Sequence, residues 1–198
     1  MKSSELIATS IALISLSISA VTAWLTLFRR GQVRMTRPNI VAFGKDGLSS
    51  KMFLRFLLLS SAQKGNIVES LYATLGDGRN KTIFATWGYG DSQRLVRGSG
   101  LFVGREGISA NHHFISQSDV PQMIDCGTHM IRIYGAIVGQ KKDQLLYSFD
   151  LNIGVDEARA INKGATEVLY DWDAYFRRYC PRIATARWRV PTAVSEAE

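Results

Sequence analysis

The chain has 198 residues, of which 46% are hydrophobic, 21% charged and 10% aromatic, and its formal net charge is +7. This balance excludes a fibrous or disordered chain, and two cysteines are too few for a disulfide scaffold. About 150 residues follow an N-terminal apolar segment, which is enough for one domain with its own core but not for two.

The apolar segment is uncharged from Leu6 to Phe28 and ends at Arg29 and Arg30. Because a helix rises 1.5 Å per residue, the segment predicts one transmembrane helix across a hydrocarbon core of about 30 Å. The alternative is a cleaved signal peptide with a small-residue cleavage site after Ala20 or Ala23. The apolar segment continues past both sites and stops at basic residues, which favours an uncleaved anchor.

Basic residues after the predicted span outnumber those before it. Arg29, Arg30, Arg34 and Arg37 follow the span, whereas Lys2 and the α-amine precede it. With one apolar segment the chain is predicted to be a single-pass protein of the cell membrane, and the positive-inside bias predicts its orientation. Its residues 1–5 would form a short non-cytoplasmic tail, and its C-terminal domain would lie in the cytoplasm.

Small residues recur along the predicted span at alternating spacings of four and three. This spacing predicts a stripe on one helix face that a second helix could approach closely. The alternative is a chance pattern in a segment rich in Ala, Ser and Thr. Besides the lipid bilayer, we expect a second copy or another membrane protein as a partner through this stripe. The stripe consists of Ala8, Ala12, Ser15, Ser19, Thr22 and Thr26.

After a basic juxtamembrane linker at residues 29–38, residues 39–190 contain short runs with strand periodicity separated by turn signals. They predict a mainly β domain, an antiparallel β-sandwich with one or two short helices. Its architecture is immunoglobulin-like by analogy only, because the Cys…Trp…Cys arrangement is missing. Residues 191–198 are predicted to be a disordered tail. The predicted strands are Ile40–Phe43, Met52–Ser60, Ile67–Leu75, Thr82–Trp87, Leu101–Val103, His112–Ile115, Met130–Val138 and Leu145–Ile153.

The second of these runs is apolar on both faces apart from Arg55, which predicts a central strand. A hairpin between Met52–Ser60 and Ile67–Leu75 would place Arg55 opposite Glu69 as a cross-strand ion pair. This pairing is expected to fix the register of the two strands.

Two short helical segments are predicted near the C-terminus. Asp156 is expected to cap a helix from Glu157 to Lys163, with Gly164 as its C-terminal stop. The stretch Asp173–Tyr179 is expected to form another turn or two of helix.

The net charge is concentrated in two groups of arginines. Without these nine arginines and the tail residues Glu196 and Glu198, the chain has fifteen basic and fifteen acidic residues. Arginines interleaved with aromatic residues suit an anionic lipid surface or an acidic protein partner. Solvated surface arginines are the alternative, and nucleic acid is the least expected partner. The nine are Arg29, Arg30, Arg34, Arg37, Arg177, Arg178, Arg182, Arg187 and Arg189.

No pattern in the sequence predicts a metal, cofactor or catalytic site. His112 and His113 are adjacent, and neighbouring residues of a strand point to opposite faces, so the two cannot share a metal ion. Cys126 and Cys180 have no metal-type spacing and are expected to be reduced thiols in the core.

We therefore predict a membrane-anchored, non-enzymatic protein whose cytoplasmic β-sandwich is an interaction module or a subunit of a membrane-associated assembly. One alternative is a membrane-surface sensor that binds anionic lipid headgroups or a small ligand. The other is a hydrolase that uses His112 or His113.

Overall fold

The computed structural model describes residues 3–24, 31–46, 49–76, 81–90, 96–116, 123–164 and 167–184. These residues form two helices, α1 (Ser3–Ala23) and α2 (Val155–Lys163), together with a series of short and medium strands. The strands are β1 (Val33–Met35), β2 (Ile40–Asp46), β3 (Ser49–Ser60), β4 (Asn66–Leu75), β5 (Thr82–Phe84), β6 (Thr86–Tyr89), β7 (Val96–Arg97), β8 (Leu101–Val103), β9 (Ile108–Ile115), β10 (Gly127–Ile137), β11 (Gln144–Ile153), β12 (Glu167–Asp173) and β13 (Arg178–Ala184).

The strands build two antiparallel sheets. Sheet A has the order β13–β12–β2–β3–β9–β6–β7, and β1 also pairs with β3. Sheet B has the order β11–β10–β4–β5, and β8 also pairs with β4. The prediction of a mainly β chain with antiparallel, sandwich-like sheets is thereby confirmed.

The core lies between the inner faces of the two sheets, where every second side chain of the long strands is buried. β3 is the middle strand of sheet A, as its long apolar run predicted. The largest fully buried side chains come from both sheets. They are Phe43, Met52, Leu54, Leu58, Phe114 and Tyr170 from sheet A, and Leu71, Phe84, Ile131, Ile133, Leu151 and Ile153 from sheet B.

β3 and β4 do not form the predicted hairpin. The turn that follows Ser60 carries the chain from sheet A to sheet B, so β3 pairs instead with β2 and β9. Arg55 lies opposite Ile40 and Asn111, and the predicted pair with Glu69 is wrong. A sandwich separates consecutive strands into different layers, and sequence proximity then no longer decides pairing.

The predicted second helical turn is also wrong, because Asp173–Tyr179 forms the turn of the β12–β13 hairpin and the start of β13. One carboxylate oxygen of Asp173 accepts the backbone N–H groups of Tyr175 and Phe176, both at 2.9 Å. This Asx turn satisfies the donors that a helix would have used.

The first predicted helix is present as α2, but its N-terminus differs from the prediction. Gly154 occupies the N-cap position without a side-chain cap, so Asp156 is not the cap. Gly164 ends the helix as predicted. Its φ of 67° is left-handed, and its N–H bonds to the carbonyl oxygens of Ala160 and Ile161.

α1 is exposed along its described length. Within the part of the chain that the structure describes, no helix combines the length and the apolar character that a bilayer crossing requires. The predicted transmembrane helix is therefore not confirmed. The predicted span continues to Phe28, and residues 25–30 lie outside the described residues, as do residues 185–198 with the predicted tail.

Candidate functional site

The chain that follows α1 joins sheet A at one end of β3. Val33 lies opposite Ser60 and Met35 opposite Leu58, so part of the predicted linker is strand β1. The backbone N–H of Gln32 donates to Oγ of Ser61 at 2.8 Å. We call this end of the sandwich, where the described chain begins again at residue 31, the proximal end.

The β12–β13 hairpin extends toward the same end. Asp171 lies opposite Ile40, and Ile40 lies opposite Arg55, so the residues after Asp171 run along the last residues of β3. The hairpin is bonded to the connection between β1 and β2. The N–H of Trp172 donates to the carbonyl oxygen of Asn39 at 2.9 Å, and the hydroxyl of Tyr179 donates to that of Pro38 at 2.8 Å.

Arg37 joins this contact from the predicted juxtamembrane group. Its guanidinium carbon lies 3.8 Å from the ring centroid of Trp172, and its Nε donates to the hydroxyl of Tyr147 at 3.0 Å. Burial raises the pKa of Tyr179, which keeps its hydroxyl protonated as the donor to Pro38. A cation over an indole at this distance is a favourable cation–π arrangement.

The hairpin tip, residues 175–178, presents aromatic and basic side chains to solvent. Tyr175 is 88% exposed and Phe176 is 62% exposed, with their rings edge to face at 5.0 Å. The guanidinium of Arg178 lies 5.2 Å from the Phe176 ring, and Arg177 adopts a φ of 52°. The two aromatic rings form a small exposed apolar patch on the turn.

The structure thus brings together Arg37, Arg177 and Arg178 from the two predicted arginine groups. Arg34 is exposed on β1, opposite Leu59. Arg182 is bound within the chain, because it forms a 2.9 Å ion pair with Asp171. The predicted contact residues Arg29, Arg30, Arg187 and Arg189 lie outside the described residues.

Sequence reasoning did not identify Trp172 as the partner of Arg37. The alternation of Val168, Tyr170 and Trp172 with acidic neighbours, interrupted at Leu169, was a strand signal that could have found it.

The predicted stripe on α1 occupies one face of the helix. Its described members span about 80° of the circumference at 100° per residue, and all of them are exposed. Large apolar residues occupy most of the remaining circumference and are 57–67% exposed. The stripe residues described are Ala8, Ala12, Ser15, Ser19 and Thr22, whereas Thr26 lies outside; the large residues are Ile7, Ile11, Leu13, Ile14, Leu16, Ile18, Val21 and Trp24.

His112 lies on the inner face of β9, inside the core. Its Nδ1 accepts the indole N–H of Trp87 at 3.1 Å, and its ring stacks on Phe56 with centroids 4.0 Å apart. Burial, with a smaller contribution from His113, lowers the pKa of His112 to about 3. At neutral pH this side chain is a neutral core residue, out of reach of a substrate.

His113 lies on the opposite face of β9, where it lines a cavity of about 170 Å³ on the outside of sheet A. Its Nδ1 is buried and has no hydrogen-bond partner among the described residues. Burial and the nearby Lys51 lower its pKa to about 4, so the ring is neutral at pH 7. We call this cavity, whose other polar side chains are Lys51, Asn111 and Glu167, the outer-face pocket.

The hydrolase alternative finds no nucleophile at His113, since none of the described lining residues of the outer-face pocket is Ser, Thr or Cys. No three His, Cys, Asp or Glu side chains converge on a metal position in the described ranges. Cys126 is an exposed free thiol and Cys180 a half-exposed one, so the expectation that both belong to the core is wrong.

A second, more open cavity of about 600 Å³ lies beside the hairpin. Arg177 and Arg178 border it, as do the carboxylates of Asp150 and Glu157. The cavity therefore offers charges of both signs next to the hairpin tip.

No protein-family model and no curated protein matches the chain. Among solved structures, the protein assigned as ApaA in Bordetella pertussis is 9% identical, with a TM-score of 0.32 over 63% of this chain and 95% of its own. The N-terminal domain of PorA is 13% identical, with a TM-score of 0.30 over 61% of this chain and 95% of its own. A family 123 glycoside hydrolase from Clostridium perfringens is 12% identical, with a TM-score of 0.35 over 64% of this chain and 28% of its own. Likenesses this weak carry no argument about function.

Proposed function

We propose that this chain is a membrane-anchored, non-enzymatic binding module whose β-sandwich is held with its proximal end toward the bilayer. The observation that carries the proposal is the exposure of α1. Its large apolar side chains surround most of the helix and are uncovered by the described part of the sandwich. Large apolar side chains that are exposed over most of a helix outside its small-residue stripe favour an apolar environment, and a bilayer would supply one to a segment that continues in the sequence to Phe28.

The composition of the proximal end supports this placement. Besides Arg37 and the hairpin tip, the turns at this end carry the exposed basic residues Lys64, Arg105, Lys141 and Lys142, against the exposed acidic residues Glu106 and Asp143. Their strands end together there, since Ser60 bonds to Gly104 and Val138 to Ile67. Each basic residue close to an anionic leaflet contributes about 1 kcal/mol of attraction, and exposed Tyr and Phe suit the headgroup region.

We further propose that the sandwich lies in the cytoplasm, because the basic residues follow the apolar segment. Cys126 tests this, as it is an exposed free thiol. In a Cys180→Ser background, a membrane-impermeant maleimide should label Cys126 only after cells are permeabilised. Labelling in intact cells would place the domain outside and refute the topology.

The anchor itself is tested by alkaline carbonate extraction of membranes from cells that express the full chain. We expect the protein in the membrane pellet. Leu13→Lys with Leu16→Lys should release it, because a charged side chain at the centre of a span costs about 3 kcal/mol. Glu5→Lys changes charge outside the apolar segment and is the control. Release of the unaltered chain would end the anchor proposal.

A second candidate function, a membrane-surface sensor of anionic headgroups, is favoured by one observation. Arg177 and Arg178 border the 600 Å³ cavity beside the exposed hairpin tip. In nanodiscs, the amides of residues 173–178 should exchange hydrogen more slowly when anionic lipid is present. Arg177→Gln with Arg178→Gln should abolish that protection, whereas Arg182→Gln should not, because Arg182 is paired with Asp171. Protection that ignores lipid charge would argue against this candidate.

A further inference from the structure

The outer-face pocket has a floor of small residues and walls of larger ones. Its floor is formed by Gly44 and Ala42 on β2, both buried although they lie on the outside of sheet A. Leu169 on β12 and Phe53 on β3 lie directly opposite Ala42 on the two sides. The small side chains of the middle strand thus leave a depression between two apolar walls.

Charges of opposite sign flank the glycine of this floor. Lys51 on β3 lies opposite Gly44. Glu167 on β12 flanks it from the other side, since a Cβ built on Gly44 would lie 3.2 Å from Cγ of Glu167. Two inter-strand spacings put the two charged residues about 10 Å apart at the backbone. Both are half-buried, and neither forms an ion pair with another described residue.

A purely structural ion pair would be expected between directly opposite residues of neighbouring strands, whose Cβ atoms are about 5 Å apart. Here the glycine separates the two charged residues, and the side chain of Glu167 lies over it at the edge of the cavity, with Oε1 3.6 Å from the position of a Cβ. His113, opposite Phe53, adds a buried ring nitrogen without a partner on the Lys51 side of the depression. A half-buried amine, a half-buried carboxylate and an unpartnered nitrogen around one cavity are typical of a ligand site.

We infer that the outer-face pocket binds a small zwitterion with an apolar side chain, such as a free amino acid. Its carboxylate would meet Lys51 and His113, its ammonium group would meet Glu167, and its side chain would lie over Ala42 between Leu169 and Phe53. A cavity of about 170 Å³ is smaller than the roughly 300–1,000 Å³ of sites for drug-sized ligands, which restricts the occupant to a molecule of this size. The inference does not depend on membrane anchoring.

The test is isothermal titration calorimetry of the purified full chain with L-leucine, L-methionine and L-phenylalanine as probes. We expect saturable binding of at least one of them. Isopentylamine and 4-methylpentanoate each keep one charge and the apolar body of leucine. Each should bind at least about tenfold more weakly, equivalent to about 1.4 kcal/mol. Absence of binding by all three amino acids, or equal binding of the singly charged analogues, would overturn the inference.

Variants separate the site from the fold. Gly44→Val fills the floor of the pocket and shifts the side chain of Glu167, whose Cγ would lie 3.2 Å from the new Cβ, but it removes no charge, and valine suits a strand. It should abolish binding while the circular dichroism spectrum stays that of the parent chain. Lys51→Met and Glu167→Gln should each weaken binding at least about tenfold. Lys81→Met removes the same charge from an exposed position beside β5 in sheet B and is the matched control. Unchanged binding in folded Gly44→Val would place the ligand elsewhere and refute the assignment.

Discussion

The neutral histidine in the core makes the stability of the sandwich depend on pH in a calculable way. An unfolded histidine has a pKa near 6.5, whereas the pKa of His112 in the fold is about 3. Below pH 6.5 His112 therefore becomes protonated in the unfolded chain, whereas in the folded chain it stays neutral down to about pH 3. The free energy of unfolding is thus highest above pH 6.5 and decreases as the pH falls through that window.

The size of the effect follows from the same two values. Each pH unit below 6.5 costs about 1.4 kcal/mol per histidine, so His112 alone should remove about 2 kcal/mol between neutral pH and pH 5. His113 acts in the same direction, since its pKa is lowered to about 4. His113 contributes less to the loss of unfolding free energy because its side chain is partly exposed to solvent.

His112→Phe isolates this contribution. Phenylalanine can stack on Phe56 in place of the imidazole but does not titrate. We expect the decrease in unfolding free energy from pH 7.5 to pH 5 to be about 2 kcal/mol smaller in the variant than in the parent chain. At pH 7.5 the variant should itself be at most about 1–3 kcal/mol less stable, because the Trp87 indole N–H loses its acceptor, whereas the loss of the buried Nε2–H of His112, which has no partner among the described residues, offsets part of this cost.

Urea unfolding followed by far-UV circular dichroism at the two pH values measures both effects. A double variant, Trp87→Phe with His112→Phe, should recover part of the loss at pH 7.5, because no buried donor is then unpaired. His129→Gln, at a half-exposed histidine outside the core, is the control for a lost imidazole. A His112→Phe chain with the same pH dependence as its parent would refute the reasoning.

Four further changes test other parts of the molecule. Ser15→Leu with Ser19→Leu should abolish crosslinked oligomers but leave membrane insertion intact, if the α1 stripe is a helix contact; unchanged oligomers would remove that idea. Leu54→Ala at a fully buried site should lower the free energy of unfolding by about 2–5 kcal/mol in urea denaturation. Gly164→Ala should cost about 1 kcal/mol by the same measurement, because φ is 67° there. Arg37→Met should cost about 0.5–1 kcal/mol and quench or shift Trp172 emission, and an unchanged spectrum would count against the stacking.

Elements with strong local signals were predictable. The alternation of Leu145–Ile153 and the apolar run of β3 both became strands, and the eight predicted strands correspond to β2–β6 and β8–β11. The main difference is that Thr82–Trp87 is two short strands rather than one. Periodicity was sufficient here because the pattern of apolar and polar residues shows directly whether one or both faces of a strand are buried.

Pairing was not predictable in the same way. The hairpin between β3 and β4 was the simplest interpretation of two apolar runs with a short turn between them. The turn instead changes sheet, and β3 gains neighbours from residues 40–46 and 108–115. No local pattern distinguishes a turn within a sheet from a turn between sheets, because both need the same glycine and polar residues.

The β12–β13 hairpin was missed because its sequence mixes two signals. Its aromatic and charged residues resemble an exposed helical turn, and Pro181 argues against a strand. β13 is the edge strand of sheet A, where a missing N–H is tolerated. The Asx turn at Asp173 then stabilises the hairpin over a helical turn.

The outer-face pocket and the hairpin tip lie at different heights of the sandwich, and this separation decides what each can bind. Lys51, beside the outer-face pocket, and Ser60, at the proximal end, are nine residues apart on β3. At about 3.3 Å per residue the two positions are about 30 Å apart. If the proximal end faces the bilayer, the pocket lies well beyond the headgroups and is open to soluble ligands rather than to lipid. The hairpin tip, by contrast, would lie at the surface of the bilayer. A module built in this way would hold a receptor for a small soluble molecule at a fixed distance from the membrane.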